Sequence, residues 1–199
     1  MRRILTAMAL VVLALAVFAW RETRAWGGSS REARHVLALI QRANYRAALA
    51  HGTEGDLLAE QGDIAGALRH YAAALQLEPS TPSIHNNLGI LWSSVGKLDE
   101  AIAAYQAELT INPKAADVRA NLGMALARSG RLTEAEASFR DALRLDAGSA
   151  EAHFGLGSLL ADRGEINAAI QHLREAVRLR PGFAPARDAL AQALTLRRP

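Results

Sequence analysis

The sequence contains no cysteine, which excludes disulfide staples and thiolate metal sites and leaves the redox compartment open. Aromatic residues make up only 5%, and alanine is abundant, a balance that suits closely packed helices better than β-sheets. Lysine is nearly missing: Lys97 and Lys114 stand alone among 23 basic side chains. Such an Arg-rich, Ala-rich bias fits a GC-rich bacterial genome. An excess of charge is also missing from most of the chain. The formal net charge is +3, but Arg2, Arg3, Arg21 and Arg24 against Glu22 supply all of it. Residues 27–199 carry 19 basic and 19 acidic side chains. A phosphate-binding domain needs an excess of cations to release counterions, so no nucleic-acid partner is expected.

One long apolar run is present. Ile4 to Trp20 carries no charge over 17 residues, about 25 Å as a helix, at the short end for a hydrocarbon core of about 30 Å. Two readings stand. The run is a retained membrane anchor, with Trp20 and Trp26 at the interface and Arg21 and Arg24 snorkelling. Alternatively it is a secretory signal cleaved after Ala14-Leu15-Ala16 or Val17-Phe18-Ala19. Arg2 and Arg3 before the run are matched by Arg21, Arg24, Arg31 and Arg34 after it, so flanking charge gives no clear orientation. The short basic start favours export of the larger C-terminal part. The expected location is therefore a bacterial inner membrane with a periplasmic domain, or the periplasm itself after cleavage.

Beyond this segment the chain repeats itself every 34 residues from Ala48, in units 48–81, 82–115, 116–149 and 150–183. The eighth place of each is Gly55, Gly89, Gly123 and Gly157; the fifteenth is Gly62, Gly96, Gly130 and Gly164. The twentieth is Ala67, Ala101, Ala135 and Ala169, and the twenty-fourth Tyr71, Tyr105, Phe139 and Leu173. The thirty-second is Pro79, Pro113, Ala147 and Pro181. Fixed-period similarity of this kind marks a repeat architecture.

The pattern resembles the tetratricopeptide repeat, a 34-residue helix–turn–helix unit, over residues 48–183. Leu88-Gly89, Leu122-Gly123 and Leu156-Gly157 match its leucine-glycine pair, while Glu54, Glu108 and Ala147 depart from it. The resemblance implies an all-α, right-handed solenoid of about four units. No unit buries its apolar stripe alone, so stability comes from stacking. Residues 1–26 form the membrane or signal segment and 27–47 a linker and helix; 48–199 form the solenoid with a capping helix from about 184. Within this frame Gly89 and Ala101 are expected to let facing backbones approach. Gly96 ends the first helix in the left-handed conformation, and Leu98 follows as a hydrophobic contact. Asp99, Thr133 and Asn167 are expected to cap the second helices, and Pro79, Pro113 and Pro181 to stop them. Ala101, Ile102, Tyr105, Leu109 and Ile111 form the second-helix stripe. Pro185 to Thr195 reads as the cap, with Leu190 and Leu194 in phase. Arg31 to Leu49 reads as an upstream helix joined to the membrane segment through Gly27-Gly28-Ser29-Ser30.

Candidate chemistry is sparse. His51, His85 and His153 share the fourth place and His70 and His172 the twenty-third; like places lie a full repeat apart, too far to share a metal unaided, so these read as packing or surface substitutions. The glycines of His153-Phe154-Gly155-Leu156-Gly157-Ser158 fall inside a helix with no following lysine, which excludes a phosphate loop. Glu108 in a small-residue place reads as a surface adjustment or as a charge facing a partner. No nucleophile, base and orienting acid fall in recognisable order. Neither enzyme activity nor a cofactor or metal is expected.

Family geometry implies a concave face made by the first helices. On it lie Asn86, Ile90, Met124, Arg128 and Phe154, with Ser83, Asp117 and Glu151 among their neighbours. Asn87 and Asn121 hold the sixth place, where asparagines in the family's O-linked N-acetylglucosamine transferases form a ladder along a peptide backbone. Gly155 interrupts that ladder in the fourth unit. Gly52, Asp56 and Asp117 occupy places where the family's chaperone-tail clamp needs basic or amide residues, so that clamp is excluded. The implied function is non-enzymatic binding of a protein or peptide segment: apolar pockets hold side chains, Asn87 and Asn121 the backbone, and Arg128 an acidic group. The alternatives are a scaffold for assembling an envelope complex and a detached regulatory subunit of an enzyme. The full-length chain is expected to stay in membranes through carbonate washing with its N-terminus intact; a mass-spectrometric start at Val17 or Trp20 would replace the anchor with a cleaved signal.

Overall fold

The computed structural model describes residues 31–197, and Glu32 in backbone only. The expected membrane segment and its joint lie outside these residues. Among those described, no helix is long and apolar enough to cross a membrane. Nine helices and no strand are found there: α1 (Arg31–Glu60), α2 (Ile64–Leu77), α3 (Ile84–Ser94), α4 (Leu98–Ile111), α5 (Ala116–Arg128), α6 (Leu132–Leu145), α7 (Ala150–Asp162), α8 (Ile166–Leu179) and α9 (Ala184–Leu196). They divide into two compact modules that separate between Thr81 and Pro82, the boundary between the first and second repeats.

In the N-terminal module α1 packs against α2. The upstream helix and the first repeat's leading helix are one continuous 30-residue helix, with no break at the anticipated boundary near residue 47. In the C-terminal module α3, α5, α7 and α9 stack side by side, while α4, α6 and α8 each pack against the first helices before and after them. Its core runs from Ala101 to Ala193. Ala186 and Ala193 of α9 are buried against that core, whereas Leu194 is 37% exposed; Arg187, Asp188 and Gln192 face solvent. This is the cap.

Each helix pair turns on the same glycine. Gly62, Gly96, Gly130 and Gly164 have φ of 79°, 78°, 82° and 80°, the left-handed region that side chains resist. The turn closes on backbone alone: Lys97 N–H donates to Trp92 O at 2.9 Å and Gly96 N–H to Ser93 O at 3.2 Å, the paired bonds of a Schellman motif. Equivalent bonds link Arg131 to Leu126 and Glu165 to Leu160. The second helices therefore start two residues earlier than expected. Lys97, Arg131 and Glu165 hold the N-cap positions without side-chain caps, and Asp99, Thr133 and Asn167 lie in the first turn. Asp99 acts there on the helix dipole. Asp63 does cap α2, accepting from Gly66 N–H at 2.8 Å. Prolines follow α2, α4 and α8, but α6 ends at the same place before Ala147, so proline reinforces a stop that the repeat already imposes.

The eighth-place glycines do not serve backbone contact in the way expected. A Cβ on Gly89 would fall 2.4 Å from the Tyr105 ring, and one on Gly123 2.6 Å from the Phe139 ring. Each glycine is a notch for the twenty-fourth-place side chain of its own repeat. Gly155 is a second notch for Phe139 from the next repeat, 2.3 Å from ring to hypothetical Cβ, so one fully buried ring joins two repeats. In the fourth repeat Leu173 replaces the ring, and its backbone N comes within 3.2 Å of the corresponding point on Gly157.

Two carboxylates sit in apolar places. Glu136 stands where the other repeats have Leu68, Ile102 and Ile170, and it pairs with both Arg163 and Arg140. Glu108 stands where they have Ala74, Ala142 and Ala176, and it is 5% exposed, so it is neither a surface adjustment nor a free charge. Its Oε1 accepts a long bond from Ser83 N–H at 3.4 Å, and Oε2 has no partner. Ile111, placed in the apolar stripe, is instead 42% exposed, because it lies in the last turn at the edge of the stack.

Two variants test this packing. Gly123→Leu fills the Phe139 notch and is expected to cost about 3 kcal/mol, the upper end for overpacking; an unchanged urea midpoint would contradict the notch. Glu108→Ala restores the residue of the other repeats and removes an unsatisfied buried acid, so stability should rise by about 1–3 kcal/mol. A lowered midpoint would show that the carboxylate is satisfied.

Candidate functional site: the first-helix face of the C-terminal module

The stacking of α3, α5 and α7 brings most of the sequence-predicted residues onto one face. Asn121 Nδ2 donates to Asn86 Oδ1 at 3.2 Å across α5 and α3, and Asn86 Nδ2 donates to Asn87 Oδ1 at 3.4 Å. The ladder therefore runs through the fifth place of one repeat and the sixth of the next, and Asn87 joins it at one end. Neighbouring first helices are offset in register, which period alone does not reveal. A side-chain amide carries two donors and an acceptor with two lone pairs, so Asn121, with one donor used here, and Asn86, with one donor and one lone pair used, keep capacity for a peptide group.

Beside the ladder, Met124 and Phe154 line a cleft of about 140 Å³ with Leu159, Gly155 and the edge of Phe139. Phe154 is half-buried, edge-on to Phe183 with ring centroids 5.1 Å apart. Ile90 of α3 is 49% exposed and lines neither this cleft nor the larger one beyond Asn121. Arg128 donates from Nη1 to Ser93 O at 3.0 Å, which ties α5 to α3 and leaves its guanidinium at the surface.

On the other side of Asn121 lies a larger cleft of about 410 Å³. Asp117, Asp146 and Glu151 surround it together with Ser149 and Arg180, and Arg180 is paired to Glu151. Ser149 is committed to capping α7, accepting from Ala152 N–H at 3.2 Å. Three carboxylates against one guanidinium suit a cationic group. Of its charged residues, Asp117 and Glu151 had been placed on the face from sequence, as had Asn121; Asp146 comes from the loop after α6, outside the first-helix periodicity.

The structure also pairs histidines that sequence reading had kept apart. Fourth and twenty-third places of one repeat face each other: His51 and His70 approach at Nδ1···Nδ1 3.3 Å, and His153 and His172 at 3.0 Å. The signal was their common spacing of 19 residues, which links the two helices within a repeat rather than equal places in successive repeats. Burial and the facing ring hold His51 and His172 below the usual histidine range.

Stacked helix pairs with glycine-centred turns and an open first-helix face define a helical-repeat binding scaffold. A model of the tetratricopeptide repeat matches residues 53–116 and 120–182, and the chain belongs to that family, whose members mediate protein–protein or peptide interactions. No curated protein matches it. Among solved structures it is similar to the MamA protein, at 23% identity over 75% of this chain and 82% of that one, with a TM-score of 0.64. Similarity to PilF of Pseudomonas aeruginosa is 20% over 77% and 70%, with a TM-score of 0.69. Similarity to YrrB, described as a TPR protein with an unusual peptide-binding site, is 22% over 74% and 76%, with a TM-score of 0.60. At these identities the likeness is one of fold.

Proposed function

We propose that the first-helix face of residues 82–197 binds an extended protein segment and carries out no chemistry. The observation that supports this most is the amide chain Asn87–Asn86–Asn121 lying between an apolar cleft and an acidic one. Asn86 and Asn121 hold the segment's backbone, the Met124–Phe154 cleft holds an apolar side chain, and Arg128 meets an acidic group. The Asp117–Asp146–Glu151 cleft adds a preference for lysine or arginine. We also propose that residues 1–26 fasten this module to a bacterial membrane or direct its export, a reading supported by the charge-free run from Ile4 to Trp20.

The test uses peptides selected on the full chain from a random display library, with affinities measured by calorimetry. Asn86→Ala with Asn121→Ala should weaken unrelated selected peptides alike, by roughly ten-fold or more, since each amide contributes about 0.5–1.5 kcal/mol. Phe154→Ala should cost about 2 kcal/mol or more as an anchor, and reselection should yield different apolar residues. Wild-type affinity in both variants, with loss on changes in α4 and α6, would place binding on the opposite face.

A further inference from the structure

The paired histidines carry chemistry that segment binding does not use. Position 23 is histidine only in the first and fourth repeats, where position 4 is also histidine; His85 faces a repeat with Ala104, and Arg119 one with Ser138. A histidine at position 23 thus occurs only where position 4 offers it a histidine partner. In both pairs the same atoms approach, Nδ1 to Nδ1, at 3.3 and 3.0 Å. Two imidazole nitrogens on one metal ion at about 2.0–2.1 Å lie about 2.9 Å apart at a right angle and about 3.4 Å apart at the tetrahedral angle. Both distances fall within that range, so a shared ion requires the rings to tilt and release their common hydrogen but not to move apart.

The fourth repeat adds a further element. His153 Nε2 lies 3.2 Å from Ala147 O, and a carbonyl can only accept, so Nε2 carries the hydrogen and Nδ1 presents its lone pair. This is how metal-ligating histidines are held by a backbone carbonyl behind the ring. His172 Nδ1 then holds the hydrogen shared by the metal-free pair; on metal binding that hydrogen moves to Nε2 through solvent, with no change in net charge. The charged groups nearby are Arg140, whose field reaches His172, and Glu175, which interacts with His153. Arg140 is neutralised by Glu136 at 2.5 Å, and Glu175 is paired to Arg178.

We propose that each pair, His51–His70 and His153–His172, is a two-histidine site for a divalent late first-row metal ion such as Zn²⁺ or Cu²⁺. Imidazole suits these ions. Among the described residues no third His, Cys, Asp or Glu completes either site, so the other coordination positions take water.

The test is Zn²⁺ titration of the tag-free full chain by calorimetry at pH 7.5. Two equivalents are expected; His172→Gln should leave one, and His70→Gln with His172→Gln none, with unchanged helical circular dichroism. The complementary measurement needs no variant: with Zn²⁺ the ¹⁵N resonances of all four rings should report Nδ1 bound to metal and Nε2 carrying the hydrogen, and the effect should vanish at pH 5. No zinc bound at 100-fold excess over protein, coordination through Nε2, or undiminished stoichiometry in the double variant would each overturn the proposal.

Discussion

A side chain seated on a glycine of the facing helix organises every repeat in this protein. Tyr71 on Gly55, Tyr105 on Gly89, Phe139 on Gly123 and Leu173 on Gly157 are the same contact made four times. A glycine inside a helix gives up about 1 kcal/mol relative to alanine, and burial of a whole aromatic ring more than offsets it. Phe139 extends the contact to Gly155 of the next repeat, so the joint that closes one helix pair also sets its distance from the following pair. The left-handed glycine turns are the second constraint, because they fix the register in which the second helix returns. Once both are in place, the orientation of the first helices follows, and with it the face that carries the asparagine ladder.

That dependence separates residues that build the scaffold from those that use it. Side chains in the ring–glycine contacts and alanines such as Ala101 and Ala135 are fully or nearly fully buried. Residues of the first-helix face are half-buried or exposed, and they differ from repeat to repeat. Asn86, Ala120 and Phe154 at the fifth place, and Ser83 against Asp117 and Glu151 at the second, are such differences on a regular frame. Variation at such places changes what is bound without disturbing stacking. The histidine pairs occupy a third class of place, between the two helices of one repeat yet open to solvent at their edge.

Most of the frame was legible in the sequence, since a 34-residue period reports places that are equivalent. The turn glycines and helix stops were therefore placed correctly. What the period does not report is which places touch. Gly89 was assigned to backbone approach because its partner, Tyr105, lies on the other helix 16 residues on. Glu108 looked like a surface charge because acids are rarely buried unpaired, and His153 and His172 were compared with their own repeat equivalents instead of each other. The caps were misplaced by two residues because a Schellman turn closes on backbone bonds and needs no polar side chain. Asn86, not Asn87, meets Asn121, since helix offset is a property of packing.

The central claim is that binding occurs on the face made by α3, α5 and α7. The most direct measurement is an NMR titration of the protein, ¹⁵N-labelled and ¹³C-labelled at the methionine methyls, with a selected peptide, following the side-chain amide resonances of asparagine and the methyl of Met124. The account predicts that Asn86, Asn121 and Met124 shift and saturate together at one equivalent, while resonances of α4 and α6 stay fixed. Saturable shifts confined to α4, α6 and α8, with the two asparagines unmoved, would contradict it.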